Sequence, residues 1–313
     1  MKDEFKSSLC LRSQLYYPIP PCFQFLISPP HPFPIHPTAA QKQATSPIPH
    51  PYIPMTSPIE LDLIGLGWAL GLMVFAIALS AWQRLGLEGD LAIATARTVV
   101  QLLMVGYLLA LVFALKNPWV VLAVLGVMLA IATTVARNRI SKKIPGLLPL
   151  VGGAIFISTA LTLAYTTLLV VRPSPWYDPQ YVIPLAGILL GNSMNAAAIA
   201  GERFASTLSR SRLDIETHLS LGATPQQATR EVRNDAIRAG LIPTLNAMLV
   251  VGIVTLPGII TGQLLGGAEP LNAALYQMLI MFMLAFATLV ATLLVTLGIF
   301  RQCFNQAAQL VTF

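Results

Sequence analysis

Charged residues are scarce in this 313-residue chain, at 10% against about a quarter in soluble domains. The chain is also 55% hydrophobic, which is more apolar surface than a soluble fold of this size can hide from water. This composition argues against a soluble protein and indicates that lipid surrounds most of the chain. It predicts an all-α membrane protein, a polytopic bundle of about seven transmembrane helices.

Residues that carry enzyme chemistry are equally few. The cysteines Cys10, Cys22 and Cys303 follow no metal-ligand spacing and form no disulfide framework. His218 is the only histidine beyond residue 57, and the apolar segments hold neither paired carboxylates nor a nucleophile beside a base. We therefore expect no catalytic residue, no bound cofactor, no metal site and no enzyme activity.

The chain also lacks the motif G-x-x-x-x-G-K-[ST], the loop that cradles nucleotide phosphates in P-loop proteins. Any ATP that drives this protein must therefore bind to another chain.

Seven apolar segments are long enough to cross a bilayer, which takes roughly 20 residues for each helix. These predicted spans cover residues 63–82, 91–115, 118–136, 147–171, 182–200, 239–261 and 274–300. A charged segment, 201–238, separates the fifth span from the sixth. A hydrophobic bundle with one structured polar region late in the chain is typical of a transport subunit that receives force from a partner.

The net charge of +6 is distributed unevenly among the loops. If the loops alternate sides from an outside N-terminus, one side receives Arg84, Arg137, Arg139, Lys142, Lys143, Arg203, Arg210, Arg212, Arg230, Arg233, Arg238 and Arg301. The loops on the other side receive only Lys116 and Arg172, and the tail adds Lys2, Lys6, Arg12 and Lys42, which lie far from the first span and count for less. The positive-inside rule then places the N-terminus outside and the C-terminus in the cytoplasm. Because the basic charge sets topology, we expect contact with membrane lipid and no nucleic-acid partner.

Residues 1–57 differ from the rest because they are dense in proline, which blocks helices and sheets. We predict that they form a disordered Pro-rich tail, or an extension ahead of a true start at Met55. A targeting peptide is the alternative, since the tail is poor in acidic residues. Residues 58–313 form the transmembrane domain.

Polar side chains within the spans are candidates for a translocation path. Arg97 and Gln101 share one face of the second span at i and i+4. Charges in spans are often functional. The alternatives for Arg97 are snorkelling to the headgroups or an ion pair with Glu88, Asp90 or Glu202.

The fifth and sixth spans carry the other path candidates. The fifth places polar and soft side chains within about one helical turn: Asn192, Ser193, Met194 and Asn195. Interhelical hydrogen bonds are the alternative role for these residues. In the sixth span Pro257 predicts a break or kink, since proline removes a backbone hydrogen bond and clashes with the preceding turn.

The charged segment 201–238 predicts two helices joined by a turn. Residues 214–221 can form a short helix that stops at Gly222. Thr224, Pro225 and Gln227 form a helix-start signature with a capping box. A docking site for a cytoplasmic protein fits this unit, and a solvated loop is the alternative.

Two resemblances follow from these residues. Glu216-Thr-His-Leu-Ser-Leu-Gly222 resembles the EAA-x3-G loop of ABC-transporter permeases, with Thr217 and His218 in place of the two alanines. In that family the loop forms the coupling helix that sits in a cleft of the ATPase subunit. The resemblance assigns coupling contacts to Glu216, His218, Leu219, Leu221, Gly222 and Ala223.

The second resemblance is more specific because several motifs occur in order. They are Arg97-Thr-Val-Val-Gln-Leu102, Gly191-Asn-Ser-Met-Asn-Ala196, Leu219-Ser-Leu-Gly-Ala-Thr224, Leu241-Ile-Pro-Thr-Leu-Asn246 and Leu256-Pro-Gly-Ile-Ile-Thr-Gly-Gln-Leu-Leu-Gly-Gly267. Over about 59–305 the chain resembles the FetB/YbbM permease family. That family includes a bacterial iron exporter permease and the plant aluminium-tolerance permease.

This resemblance implies the permease subunit of an ABC transporter for metal export, with iron as the expected metal, in the bacterial inner (plasma) membrane. It also implies a separate P-loop ATPase subunit and a permease homodimer. The alternative function is a secondary transporter or channel that acts without an ATPase.

Overall fold

The computed structural model describes residues 63–115, 117–141, 144, 146–304 and 309. The predictions about the tail fall on residues outside this described part, as do Lys116, Lys142 and Lys143. The helices are α1 (Leu63–Trp82), α2 (Glu88–Leu115), α3 (Pro118–Ile140), α4 (Leu147–Tyr165), α5 (Pro179–Arg210), α6 (Arg212–Ser220), α7 (Pro225–Ala228), α8 (Arg230–Val250), α9 (Gly258–Leu265) and α10 (Pro270–Cys303). A π-helical turn, Thr166–Val171, continues α4.

The predicted all-helical membrane bundle is confirmed, with a correction to the number of continuous spans. Six helices, α1 to α5 and α10, are long and apolar enough to cross a bilayer. The predicted sixth span, 239–261, is instead two helices, α8 and α9, separated by residues 251–257. An isolated β-bridge joins Val251 and Thr255 inside this break.

The break begins well before Pro257, where the sequence predicted it. Helix α8 ends at Val250, and the backbone then turns through Gly252 at a φ of 80°. The Val254 N–H donates to the Val250 carbonyl, and the Gly252 N–H donates to the Thr255 carbonyl, both at 2.9 Å. The turn therefore satisfies its own polar backbone, which irregular chain at membrane depth requires.

Helix α5 lies at the centre of the bundle and packs against α3, α4, α8 and α10. The largest core cluster joins these five helices around Phe204, Ile155 and Ile299. At a rise of about 1.5 Å per residue, α5 is about 48 Å long, which exceeds the hydrocarbon core of about 30 Å. Its end therefore extends beyond the membrane and carries α6.

Glycines allow the central helices to approach closely. A Cβ atom on Gly240 of α8 would lie 2.8 Å from the Ala196 carbonyl oxygen of α5 and 2.7 Å from the Thr292 methyl group of α10. A Cβ atom on Gly298 of α10 would lie 2.5 Å from Leu150 of α4. Lipid gives helices no hydrophobic reason to associate, so such close van der Waals packing holds the bundle together.

Several buried threonine hydroxyls in the bundle donate to carbonyls of their own helices. On α10, Thr288 donates to the Leu284 carbonyl and Thr296 donates to the Thr292 carbonyl, both at 2.7 Å. Thr162 on α4 donates to a carbonyl one turn earlier in the same way. These threonines therefore leave no donor unpaired in hydrocarbon, whereas the buried Thr159 and Ser193 hydroxyls have no partner among the described residues.

One end of the bundle is rich in arginine. Gly201 of α5 lies beside Ile140 at the end of α3 and beside Val295 of α10, and Gly240 in the middle of α8 lies beside Ala200, the residue before Gly201. The helix ends gathered there carry Arg137, Arg139, Arg203, Arg210, Arg230, Arg233, Arg238 and Arg301. We call this the arginine-rich end. Its orientation toward the cytoplasm remains a prediction.

Gly240→Ala tests the close packing of α8. Overpacking costs about 1–3 kcal/mol, whereas alanine gains about 1 kcal/mol over glycine in helix propensity. We expect a lower melting temperature for the detergent-purified protein, because the Ala196 carbonyl cannot move aside. Gly153→Ala is the control, since its Cβ would meet no atom within 4 Å. Equal melting temperatures for the two variants would contradict the packing described here.

Candidate functional site

Helix α6 is a short helix with a closed C-terminal end. Gly222 follows it at a φ of 91°, a left-handed conformation that favours glycine. The Ala223 N–H donates to the His218 carbonyl and the Gly222 N–H donates to the Leu219 carbonyl, both at 3.0 Å. This pair of bonds is a Schellman motif, which satisfies the carbonyls left free at a helix end.

The capping box predicted at Thr224 is present. The Gln227 N–H donates to the Thr224 hydroxyl at 3.3 Å, and the Thr224 N–H donates to Gln227 Oε1 at 2.9 Å. The helix that follows is interrupted at Thr229, so α7 and α8 are separate elements. Two helices joined by a rigid glycine turn therefore protrude from the arginine-rich end.

Helix α6 has one face on the bundle and one face in the open. Ile215 is buried in the largest core cluster, and Leu219 packs against the same cluster. On the other side Leu213, Thr217 and Leu221 are exposed and share a face at i, i+4 and i+8. Leu213 and Leu221 are 78% and 80% exposed. We call these three residues the coupling surface.

The predicted coupling residues lie on different sides of this helix. Glu216 forms an ion pair with Arg212 at 2.7 Å, and both side chains are partly solvated. His218 is exposed and lines an open polar cleft of about 650 Å³ with Asp214 and Glu231. Leu219 faces the core, so the exposed leucine of the predicted set is Leu221.

Sequence reasoning missed Leu213 as a member of this surface. The signal was available, because Leu213 lies eight residues before Leu221 and therefore on the same face of a helix. The prediction started the helix at residue 214, whereas α6 begins at Arg212.

The path candidates on α2 face away from the rest of the chain. Arg97 and Gln101 are both exposed. Neither forms a hydrogen bond or ion pair with any residue that the structure describes. The ion pairs proposed for Arg97 with Glu88, Asp90 or Glu202 are therefore not formed within this chain.

The path candidates on α5 separate into buried and open residues. Asn195 is exposed, and its Oδ1 accepts a hydrogen bond from Arg139 Nη1 of α3 at 2.9 Å. Asn192 is half-buried and donates to the Ile188 carbonyl of its own helix at 2.9 Å. Asn195 and Arg139 thus form a polar contact between two helices at the open face of α5. Arg139 was predicted only as a topology charge.

The other two candidates on α5 belong to its packed side. Ser193 is fully buried, and its hydroxyl has no hydrogen-bond partner among the described residues. Met194 packs against the largest core cluster. Neither side chain lies on the open face that carries Asn195.

Pro257 precedes α9 and lines a cavity of about 260 Å³ beside the break. Met248, Met278 and Met281 line the same cavity. Gln277 is buried there, and its Oε1 has no hydrogen-bond partner among the described residues. The break is therefore loosely packed compared with the glycine contacts near Gly240.

No cluster of three or more histidine, cysteine, aspartate or glutamate side chains that could hold a metal occurs in the part of the chain that is described. The polar groups available to a passing solute are amides, arginines, hydroxyls and thioethers. These groups suit transient contact better than tight chelation of a divalent ion.

Comparison with known proteins places these features in a family. The profile of the family described as "Uncharacterised protein family (UPF0014)" matches residues 63–304. The chain is 52% identical over 253 residues to UPF0014 membrane protein slr1647 of Synechocystis, covering 81% of this chain and 98% of that protein. No solved structure is similar enough to count as a match.

Two further relatives have descriptive names. Protein ALUMINUM SENSITIVE 3 of Arabidopsis thaliana is 34% identical over 245 residues, which is 78% of this chain and 88% of that protein. "Probable iron export permease protein FetB" of Escherichia coli is 34% identical over 246 residues, covering 79% of this chain and 93% of its own length.

Gly222→Val tests the turn that ends α6. A side chain in left-handed backbone costs on the order of 1–2 kcal/mol, so the Ala223 amide, which the turn protects, should exchange its hydrogen roughly tenfold faster. Ser220→Ala is the control, because it changes an exposed residue of α6 without altering the turn. Unchanged exchange at Ala223 in Gly222→Val would show that the Schellman bonds do not hold this end.

Proposed function

The chain belongs to the family UPF0014, and we propose that it is the membrane-spanning permease subunit of an ABC transporter, driven by a separate ATPase subunit. The observation that carries the proposal is the coupling surface, an exposed apolar face on a short helix that is itself anchored in the bundle core. Exposed leucines at the tip of a polar segment indicate a protein partner.

The position of α6 suits the transfer of force. Ile215 shares its core cluster with Phe204 of α5 and Ala236 of α8. A partner that moves the coupling surface would therefore push directly on two helices of the bundle. Packed interiors have low compressibility and transmit such displacements.

The break between α8 and α9 is the element best suited to move. At Gly240 the middle of α8 packs closely against α5 and α10, whereas residues 252–256 are exposed and a cavity adjoins them. Broken helices in transporters line the substrate cavity and rearrange during transport. We infer that Pro257 and the turn before it respond to motion at the coupling surface.

Iron is the proposed substrate, and export is the proposed direction. Support comes from the E. coli relative, whose name describes an iron export permease. We place the Arg139–Asn195 contact on the path at its arginine-rich end, since polar side chains on spans normally face a cavity or a partner. The unit would be a permease homodimer in a bacterial inner membrane, with the arginine-rich end in the cytoplasm.

A pull-down of the tagged full-length chain from its own host in gentle detergent tests the ATPase partner. We expect a P-loop protein with ATP hydrolysis activity to co-purify. Leu213→Asp and Leu221→Asp should each reduce its recovery roughly tenfold, because a buried charge in an apolar interface is costly. The control is Gln180→Asp, which adds the same charge on an exposed residue at the opposite end of the bundle.

A permease that purifies alone and remains active under an ion gradient would contradict the proposal and support a secondary transporter. Recovery of the ATPase unchanged in both leucine variants would reject the coupling surface as its docking site.

Asn195→Leu tests the path. It removes the acceptor of Arg139 from the open face of α5, and we expect iron export to fall roughly tenfold, the effect of about 1.4 kcal/mol on a barrier. Iron retained by cells that express the variant with its ATPase partner is the measurement. Thr134→Val is the control, since it removes a hydroxyl from an exposed position on α3. Normal export by Asn195→Leu would remove this contact from the path.

A further inference from the structure

The middle of α2 is exposed. Residues 100–108 are all exposed, and Val112 is the only described residue of α2 that is buried. Val112 and Leu109 pack against Val121 of α3 and against Val182 and Ile183 of α5. Apart from its packing with α1, the helix therefore meets α3 and α5 at the end opposite the arginine-rich end, and it splays away from them elsewhere.

This splayed stretch carries polar groups that lipid cannot satisfy. Arg97, Gln101 and Tyr107 are exposed, Tyr107 by 81%. None of the three forms a hydrogen bond or ion pair with the described residues. Charged and polar side chains in spans almost always face the bundle interior, a cavity or a partner, so a helix that presents them outward is incomplete in a single chain.

Helix α5 has a matching open face. A Cβ atom on Gly191 would meet nothing within 4 Å, and Asn195 and Glu202 are exposed. Glu202 forms no ion pair in the described part of the chain. This face thus offers a small residue for close approach, an amide and an unpaired negative charge.

The two faces agree in depth, measured along each helix from the hydrophobic cluster to which Val112 and Ile183 both belong. Gln101 lies about 16 Å and Arg97 about 22 Å from that level at a rise of about 1.5 Å per residue. On α5, Asn195 lies about 18 Å and Glu202 about 28 Å from it. The amide pair is therefore level, and Arg97 falls between Asn195 and Glu202.

We propose that the middle of α2 packs on the open face of α5 in a second copy of this chain, with Gln101 beside Asn195 and Arg97 paired with Glu202. The inference rests on the proposed homodimer and specifies its interface. A two-fold axis along the membrane normal preserves depth, and it requires each chain to carry both halves of the contact. Arg97 and Glu202 are such halves, opposite in charge and each without an ion pair among the described residues.

Cysteine cross-linking between two full-length copies with different tags tests the register. In both copies, Cys10 and Cys22 are changed to serine and Cys303 is changed to alanine. One copy then carries Gln101→Cys, and the other carries Asn195→Cys. We expect an oxidant to form a disulfide bond that links the two differently tagged copies. The control replaces Asn195→Cys with Leu161→Cys, an exposed position on α4, and should not cross-link.

Charge exchange tests the ion pair independently. A copy with Arg97→Glu and a copy with Glu202→Arg each place like charges together when they pair with their own kind. When they pair with each other, both contacts join opposite charges. We expect mixed pairs to exceed same-variant pairs roughly tenfold, since juxtaposed like charges suppress association strongly.

Two outcomes would overturn the interface. One is a yield of cross-linked tags no higher than the control, and the other is equal recovery of mixed and same-variant pairs. A bond that forms only inside a single chain carrying both cysteines would show that α2 closes onto its own α5.

Recovery of the ATPase in the same preparations separates the two proposals. If the ATPase co-purifies but no cross-link forms, the proposed permease function stands and the proposed interface is wrong. If the cross-link forms but no ATPase co-purifies, the proposed interface stands and the proposed ATPase partner is wrong.

Discussion

The close approach of α5 to its neighbours is the contact on which the rest of the structure depends. Gly240 of α8 lies against the backbone of α5 at Ala196, and Gly201 of α5 lies against Ile140 of α3. In lipid this packing is the main attraction between helices. It also places the end of α5, and with it α6, at a defined position on the arginine-rich end.

Polar groups in the bundle fall into two kinds, and the difference separates packing from function. The threonines of α10 donate to carbonyls of their own helix and serve to let helices approach. Arg97, Gln101 and Asn195 point outward from the chain. Hydrocarbon cannot satisfy such groups, so they indicate where a solute, water or a second copy completes the structure.

Local signals were sufficient for several elements. Six of the seven predicted spans correspond to continuous helices, and the glycine turn at Gly222 and the capping box at Thr224 formed as expected. These features depend on residues within one or two turns of each other. The position of the break in the sixth span was predicted less accurately. The break begins at Val251, where hydrogen bonds among several residues form a turn. No single residue in the sequence predicts that turn.

The sequence by itself determined that lipid surrounds this protein, which six helices are long enough to cross it, and the glycine turn that ends α6, because apolar length and cap chemistry act locally. Only the tertiary structure decided which polar residues are buried inside the bundle and which remain exposed. Ser193 and Asn195 are two residues apart, yet one is fully buried and the other is exposed. That distinction depends on which neighbouring helices cover each face of α5, and so on contacts between residues far apart in the chain.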